Sequence, residues 1–276
     1  MLLDGFKTAE ELRKQIAEEI KINSYKITLA VIIVGDNPAS QIYVANKQKA
    51  CAEVGINSLR IAFPSDASQK EIIDKINELN KDKSVHGILV QLPLPSHLDE
   101  ETIINTIDPN KDVDGLTIIN QGKLFKGEES ILPATPKGII TLLKNNNVQI
   151  KGKNAVVLGR SILVGKPAAM LLLKENATVT ICHSRTENLK EVTKKADILV
   201  VAIGKPKFVT ADMVKKDTAV VDVGINRVQG KVCGDVDFEN VAPIVDYISP
   251  VPRGVGPMTI ASLLENVICC YKLQEK

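Results

Sequence analysis

The alternation of two periodicities constrains this chain more than any other feature. Apolar runs of strand length, among them residues 27–34, 87–91, 154–158 and 198–202, are separated by longer amphipathic stretches. Strands that are apolar throughout are buried on both faces, which calls for parallel sheets covered by helices. The expected class is α/β. In the first half the pattern predicts helices over 8–21, 39–53 and 68–80, with strands over 27–34, 58–63 and 87–91. A stretch rich in Pro, Asp, Gly and Asn then runs from 92 to 136, holding only a short helix near 100–107, and such a segment marks a site or a domain boundary. The second half restarts with strands over 154–158, 178–182, 198–202, 219–223 and 245–248, and helices over 166–176 and 189–194. A closing helix over 259–271 is placed to pack back on the first domain.

At 276 residues the chain can form one large domain or two medium ones without covalent staples, and two is the better expectation. The division falls between 1–135, joined by the C-terminal helix 259–276, and 136–258. With 35 basic and 33 acidic side chains the formal charge is +2, so nothing favours nucleic acid or an anionic membrane as partner. The five cysteines form no Cys-x-x-Cys pair, and no histidine stands at metal-ligand spacing. They read as reduced thiols, with no metal site. The first residues reach Asp4 and Lys7 before any long apolar run, unlike a signal peptide or membrane span, and the expected location is the cytoplasm.

The segment from Lys153 to Pro167 is an apolar strand, a turn holding Gly159 and Gly165, and a helix with a proline near its start. Such a turn offers free backbone N–H groups and the positive end of a helix dipole to a pyrophosphate. The central glycine of Gly-x-Gly-x-x-Gly is absent, so a plain strand-to-helix turn is the alternative. About twenty residues on, where an NAD site offers a carboxylate to the ribose, this chain has Cys182-His183-Ser184-Arg185-Thr186. Ser184 with Arg185 or Arg160 can take a 2′-phosphate, which points to NADP; Arg185 as a solvated loop residue is the bland reading, and His183 reads as structural. Further strand ends, Ala202-Ile203-Gly204 and Asp222-Val223-Gly224-Ile225, let a flat ring approach the backbone, with Ile225 the candidate nicotinamide contact.

Tyr43 and Lys47 are four residues apart and share one helix face. Tyrosine can stack a heterocycle, and lysine can move a proton if burial lowers its pKa; an ordinary amphipathic face is the alternative. Gln91 sits at the carboxyl end of a strand, where open α/β sheets place ligands. Asp112 and Asp114 lie in a loop of turn formers, where either can hold a ring's amine donors or simply cap a turn.

Taken in order, Pro38-Ala-Ser-Gln-Ile-Tyr43-Val-Ala-Asn-Lys47, His86-Gly-Ile-Leu-Val-Gln91-Leu92-Pro93, Lys111-Asp-Val-Asp114-Gly115, Gly159-Arg-Ser161 and Gly254-Val-Gly256-Pro257-Met-Thr259 resemble the bifunctional methylenetetrahydrofolate dehydrogenase/methenyltetrahydrofolate cyclohydrolase family. The resemblance spans nearly the whole chain. It implies an N-terminal α/β substrate domain, a C-terminal Rossmann-like doubly wound parallel sheet, a cleft between them, NADP as cofactor, a folate as substrate and a homodimer. It further implies a pterin stacked on Tyr43, Lys47 as the acid/base group tuned by Gln91, and Asp114 bonded to the pterin. Leu92, Pro93, Pro257 and Thr259 would complete the substrate site. Gly159, Arg160, Ser161, Ser184 and Ile225 match the family's cofactor contacts. One departure is Arg253, where the family usually has glycine; altered loop geometry or a contact to the folate glutamate tail is expected from it.

Two other readings compete. Short-chain dehydrogenases also combine Tyr-x-x-x-Lys with a dinucleotide fold, but there the pair follows the glycine turn, whereas Tyr43 and Lys47 precede Gly159. A regulatory protein that binds NADP without turnover has no use for Lys47.

Overall fold

A computed structural model describes residues 1–275. In chain order the elements are α1 (Gly5–Asn23), β1 (Thr28–Val34), α2 (Pro38–Val54), β2 (Asn57–Phe63), α3 (Gln69–Lys81), β3 (Gly87–Val90), α4 (Glu100–Asn105), α5 (Ile118–Lys126) and α6 (Ala134–Asn145). There follow β4 (Asn154–Leu158), α7 (Gly165–Lys174), β5 (Thr178–Cys182), α8 (Leu189–Thr193), β6 (Ile198–Val201) and β7 (Ala219–Asp222). Last come β8 (Asn226–Val228), β9 (Lys231–Cys233), α9 (Phe238–Val241), β10 (Tyr247–Ile248) and α10 (Val255–Gln274).

The chain divides into two compact units. One comprises Glu11–Ala134 and the chain from Leu263 onward. Its sheet has the order β2-β1-β3, all parallel, with Thr28 opposite Asn57 and Leu29 opposite Gly87. Central β1 is buried from Leu29 to Val34, which is why its sequence is apolar at every position rather than alternating. Ala30, Ile32 and Val34 pack with Ile72 and Ile76 of α3 and with Ile88 and Val90 of β3. Each such buried aliphatic side chain contributes roughly 1.5–3 kcal/mol. Local chemistry fixes the helix starts: Asn37 accepts from the Ala39 and Ser40 N–H groups ahead of α2, and Ser68 with Glu71 forms a capping box on α3. Gly55, at φ 86°, ends α2.

The C-terminal end of α10 lies on the first of these sheets. Tyr271 stacks at a tilt on Tyr25 and His86, and Gln274 Nε2 donates to the His86 carbonyl. His86 Nδ1 in turn accepts from the Thr28 N–H at 3.1 Å, so it must be unprotonated. Burial, aided by Lys111, holds this imidazole below its ordinary 6.5. A histidine with a depressed folded pKa stabilises the fold above its unfolded pKa and loses that contribution as pH falls. The urea midpoint should therefore drop as pH is lowered below about 6.5, and His86→Gln should remove that part of the slope.

The other unit comprises Met1–Glu10 and Thr135–Ser262. Its five strands run parallel in the order β10-β7-β6-β4-β5, a doubly wound sheet with its core at Val156, Leu158, Leu199, Val201 and Val220. Residues 1–10, placed by the sequence reading with the first domain, cluster here. The reason is a short parallel bridge of Leu2 to Ile248 and a hydrogen bond from the Leu3 N–H to the Ile248 carbonyl.

Several elements lie outside the sequence reading. Helix α5 falls in the stretch expected to be loop; Gly122 interrupts its pattern, and only Asn120 and Leu124 are buried. Helix α6 begins with Pro136 in its first turn, where no N–H is needed, and carries Gly138 because a side chain there would press on Met258. The β8–β9 hairpin turns at Gln229 and Gly230, both with positive φ. Glutamine is not a residue that advertises such a turn. No described helix is long and apolar enough to cross a membrane.

Candidate active site

In the unit built on β1, the carboxyl end of β3 and the middle of α2 converge. Lys47 Nζ donates to Gln91 Oε1 at 3.1 Å, and Gln91 Nε2 donates to the Leu92 carbonyl at 2.6 Å. The amide is thereby locked, with its oxygen toward the ammonium. Gln91 is held from behind as well, its N–H donating to the Ile32 carbonyl. Leu92 and Pro93 follow through a cis peptide. One turn before Lys47, the Tyr43 ring is 42% exposed, an open flat surface beside the lysine. One turn after it, Cys51 is buried and its thiol is pushed up to about 12, so it is inert there.

The loop carrying the two aspartates sorts them. Asp112 is buried and accepts from the Thr117 N–H, the Thr117 hydroxyl and Asn120 Nδ2, at 2.8 to 3.0 Å. It is a turn-holding residue. Asp114 is not part of that network. Burial raises the pKa of its carboxyl, with the Lys47 charge opposing and Asp112 adding to the rise. The loop itself is pinned by Lys111 Nζ on the Leu79 and Asp82 carbonyls and by Asn266 Nδ2 on the Val113 and Leu132 carbonyls. Gly115 has φ +66°, and any Cβ there would lie 2.7 Å from the Ile131 carbonyl oxygen. Asn266 escaped the sequence reading because a lone asparagine in an apolar helix carries no periodic signal.

In the other unit the glycine turn is built for close approach. Gly159 has φ +132°, and a side chain there would collide with the Ala202 carbonyl; one at Gly165 would collide with the Gly159 carbonyl. Strand β4, the turn and α7 thus pack backbone to backbone. Ser161 is partly a local cap, its hydroxyl accepting from the Val164 and Gly165 N–H groups at 3.2 Å. A cavity of about 310 Å³ lies over this turn, lined among others by Gly159, Arg160, Ser161, Ser184 and Lys205. That volume and its cations suit a phosphate-bearing ligand. Arg185 is exposed and is not in the lining, while its N–H donates to His183 Nδ1. Lys205, 5.7 Å from the Phe208 ring centroid, is a cation of this cavity that strand-end glycines had overshadowed in the sequence.

A second cavity in the same unit, about 270 Å³, is lined by Gly224, Ile225, Arg253 and Pro257 among others. Pro257 and Thr259 lie in the first turns of α10, which starts four residues earlier than the sequence predicts, because a proline is tolerated there. The Thr259 hydroxyl pairs with that of Thr135 at 2.9 Å. Arg253 has a φ of +86°, an angle that glycine adopts freely and other residues rarely do. Its guanidinium lies 4.7 Å over the Phe6 ring, and its carbonyl accepts from the Phe6 N–H. Backbone strain of about 1 kcal/mol is offset by a cation–π contact of similar size. Arg253→Gly should therefore change stability by less than about 1 kcal/mol and leave both Michaelis constants unaltered, as denaturation and steady-state kinetics will show.

Among the described residues no cluster of three His, Cys, Asp or Glu could hold a metal ion.

Residues 3–114 match the tetrahydrofolate dehydrogenase/cyclohydrolase catalytic domain, and residues 133–275 match the NAD(P)-binding domain of the same name. The chain is 51% identical over 279 residues to a bifunctional protein FolD from Anoxybacillus flavithermus, covering 100% of this chain and 99% of that one. Among solved structures it is similar to the bifunctional FolD methylenetetrahydrofolate dehydrogenase/cyclohydrolase from Campylobacter jejuni, at 48% identity and TM-score 0.97 over 99% of each chain. It is also similar to the Trypanosoma brucei dehydrogenase-cyclohydrolase complexed with NADP and an inhibitor, at 35% identity and TM-score 0.95, over 100% of this chain and 98% of that one. Both domains stand in the order the motifs had indicated, and the chain belongs to the tetrahydrofolate dehydrogenase/cyclohydrolase family.

Proposed function

We propose that this chain oxidises 5,10-methylenetetrahydrofolate to 5,10-methenyltetrahydrofolate with NADP and hydrolyses the product to 10-formyltetrahydrofolate. The observation that carries the reading is the Lys47–Gln91 contact beside Asp114, in a chain whose other unit holds a glycine-lined, cation-bearing cavity. Folate binding is assigned to the unit of Glu11–Ala134 with the chain from Leu263 onward, and cofactor binding to the unit that holds Thr135–Ser262.

The residues fit a dinucleotide. Gly159 and Gly165 let the turn pack backbone to backbone against β6 and α7 beneath the cavity, and Arg160, Ser184 and Lys205 on its lining supply the groups a 2′-phosphate or pyrophosphate needs. Bound there, NADP supplies the hydride acceptor. The chain's own side chains do the rest. Tyr43 offers its ring to the pterin and Asp114 its carboxyl to the pterin's donors. Gln91 aims the Lys47 ammonium, which carries protons as water adds to the methenyl carbon and the ring opens. Leu92, Pro93, Pro257 and Thr259 border the substrate, and Ile225 offers its backbone to the nicotinamide.

We place the enzyme in the cytoplasm as a homodimer, in the one-carbon supply to purine biosynthesis. Purified protein given 5,10-methenyltetrahydrofolate without any dinucleotide should hydrolyse it well above the spontaneous rate; hydrolysis at the spontaneous rate would refute the second activity.

A further inference from the structure

The family's motifs leave two buried carboxylates unexplained. Asp235 is 0% exposed and Asp222 only 3%. Asp235 Oδ2 accepts from the Ile203 and Gly204 N–H groups, both at 2.8 Å, and its Oδ1 accepts from Asn226 Nδ2 at 2.8 Å. Asp222 accepts from the N–H groups of Gly224, Asp235 and Val236 at 2.9 to 3.0 Å. A carboxylate out of water persists only where such donors satisfy it. Here they come from turns beyond the strand ends, since the β6–β7 pairing stops at Val201 opposite Asp222. The same turns wall the cavities: Ile203 lines the first, and Gly224 and Ile225 line the second. Glycine is required at 224 and 234, where a side chain would collide with the Asp235 and Asp222 carboxylates respectively.

We propose that Asp235, seated on Asp222, is a positioning residue for the dehydrogenase reaction, tying the Ile203–Gly204 turn to the Gly224–Asn226 turn at the spacing a bound dinucleotide needs. The inference rests on the dinucleotide reading of this unit. Its chemistry dictates the test. In Asp235→Asn one acceptor oxygen becomes an amide NH2, so the side chain cannot accept from both the turn N–H groups and Asn226. Adding Asn226→Asp reverses donor and acceptor in that one contact and restores the match.

Asp235→Asn should raise the KM for NADP by about tenfold or more, while methenyl hydrolysis, which uses no dinucleotide, stays within about twofold of wild type. The double variant Asp235→Asn/Asn226→Asp should recover most of the loss. A wild-type KM in Asp235→Asn would overturn the proposal, as would a parallel fall of both activities without rescue. Should Asp235→Asn not fold, Asn226→Ala removes one bond at a half-buried side chain and must show the same split in smaller measure. Calorimetric titration of wild type with NADP separates the two levels. No binding there refutes the dinucleotide reading itself, whereas binding with unaltered Asp235→Asn kinetics refutes only the role of Asp235.

Discussion

Lys47→Ala is expected to lower methenyl hydrolysis by roughly 10²- to 10⁴-fold, the range for removal of a positioned acid–base group. The fold should survive. Lys47 is half-buried and hydrogen-bonds to Gln91, whose amide nitrogen keeps its partner at the Leu92 carbonyl. Loss of one such bond costs about 1 kcal/mol, a thermal shift of a few degrees at most. Lys47→Arg separates the two things a lysine can do. It preserves the positive charge but cannot give up a proton near neutral pH. If proton transfer is the role, the arginine variant will be nearly as inactive as the alanine one; if charge alone suffices, it will retain much of the hydrolysis.

Gly159→Ala is expected to strike the other activity. The residue sits at φ +132°, and its added Cβ would run into the Ala202 carbonyl. Strain at such a backbone angle is of order 1–3 kcal/mol before the clash is counted. Relief requires the turn to move away from β6, and a displacement near 1 Å at a binding site costs about a hundredfold in rate. NADP-dependent oxidation should therefore fall by about 10² or more, with a melting temperature several degrees lower. Methenyl hydrolysis should persist, because Lys47, Gln91 and Asp114 are held by other elements. Equal loss of both activities would mean that the substitution had unfolded the chain rather than closed the turn.

Much of this was legible in the sequence, for identifiable physical reasons. Buried parallel strands announce themselves as unbroken apolar runs, and the β4 boundaries, 154–158, match the pattern residue for residue. Tyr43 and Lys47 were paired by helical spacing alone, and Gln91 by its place just beyond a strand. What periodicity cannot encode is long-range polar anchoring. Asn266 reaches across more than a hundred residues to the Val113 and Leu132 carbonyls. Asp235 follows a glycine and reads as a turn former, yet the fold buries it completely among donors from two other segments. The weight given to Arg185 over Lys205 had the same origin. Sequence distance from a strand end does not reveal which side of a turn faces a cavity. Helices α5 and α6 were hidden by internal glycines and, in α6, an early proline, residues that punctuate loops in most contexts; in α6 they serve packing and helix initiation.

The central claim is that one chain carries a methylene bridge through oxidation and then hydrolysis. It is tested most directly by giving the purified protein 5,10-methylenetetrahydrofolate with NADP, and in parallel with NAD, and following reduced dinucleotide and 10-formyltetrahydrofolate together. The account predicts that reduced NADP and the formyl product both accumulate, faster with NADP than with NAD, and that in Lys47→Ala the formyl product fails to accumulate at the wild-type rate. Absence of reduction with either dinucleotide would contradict it.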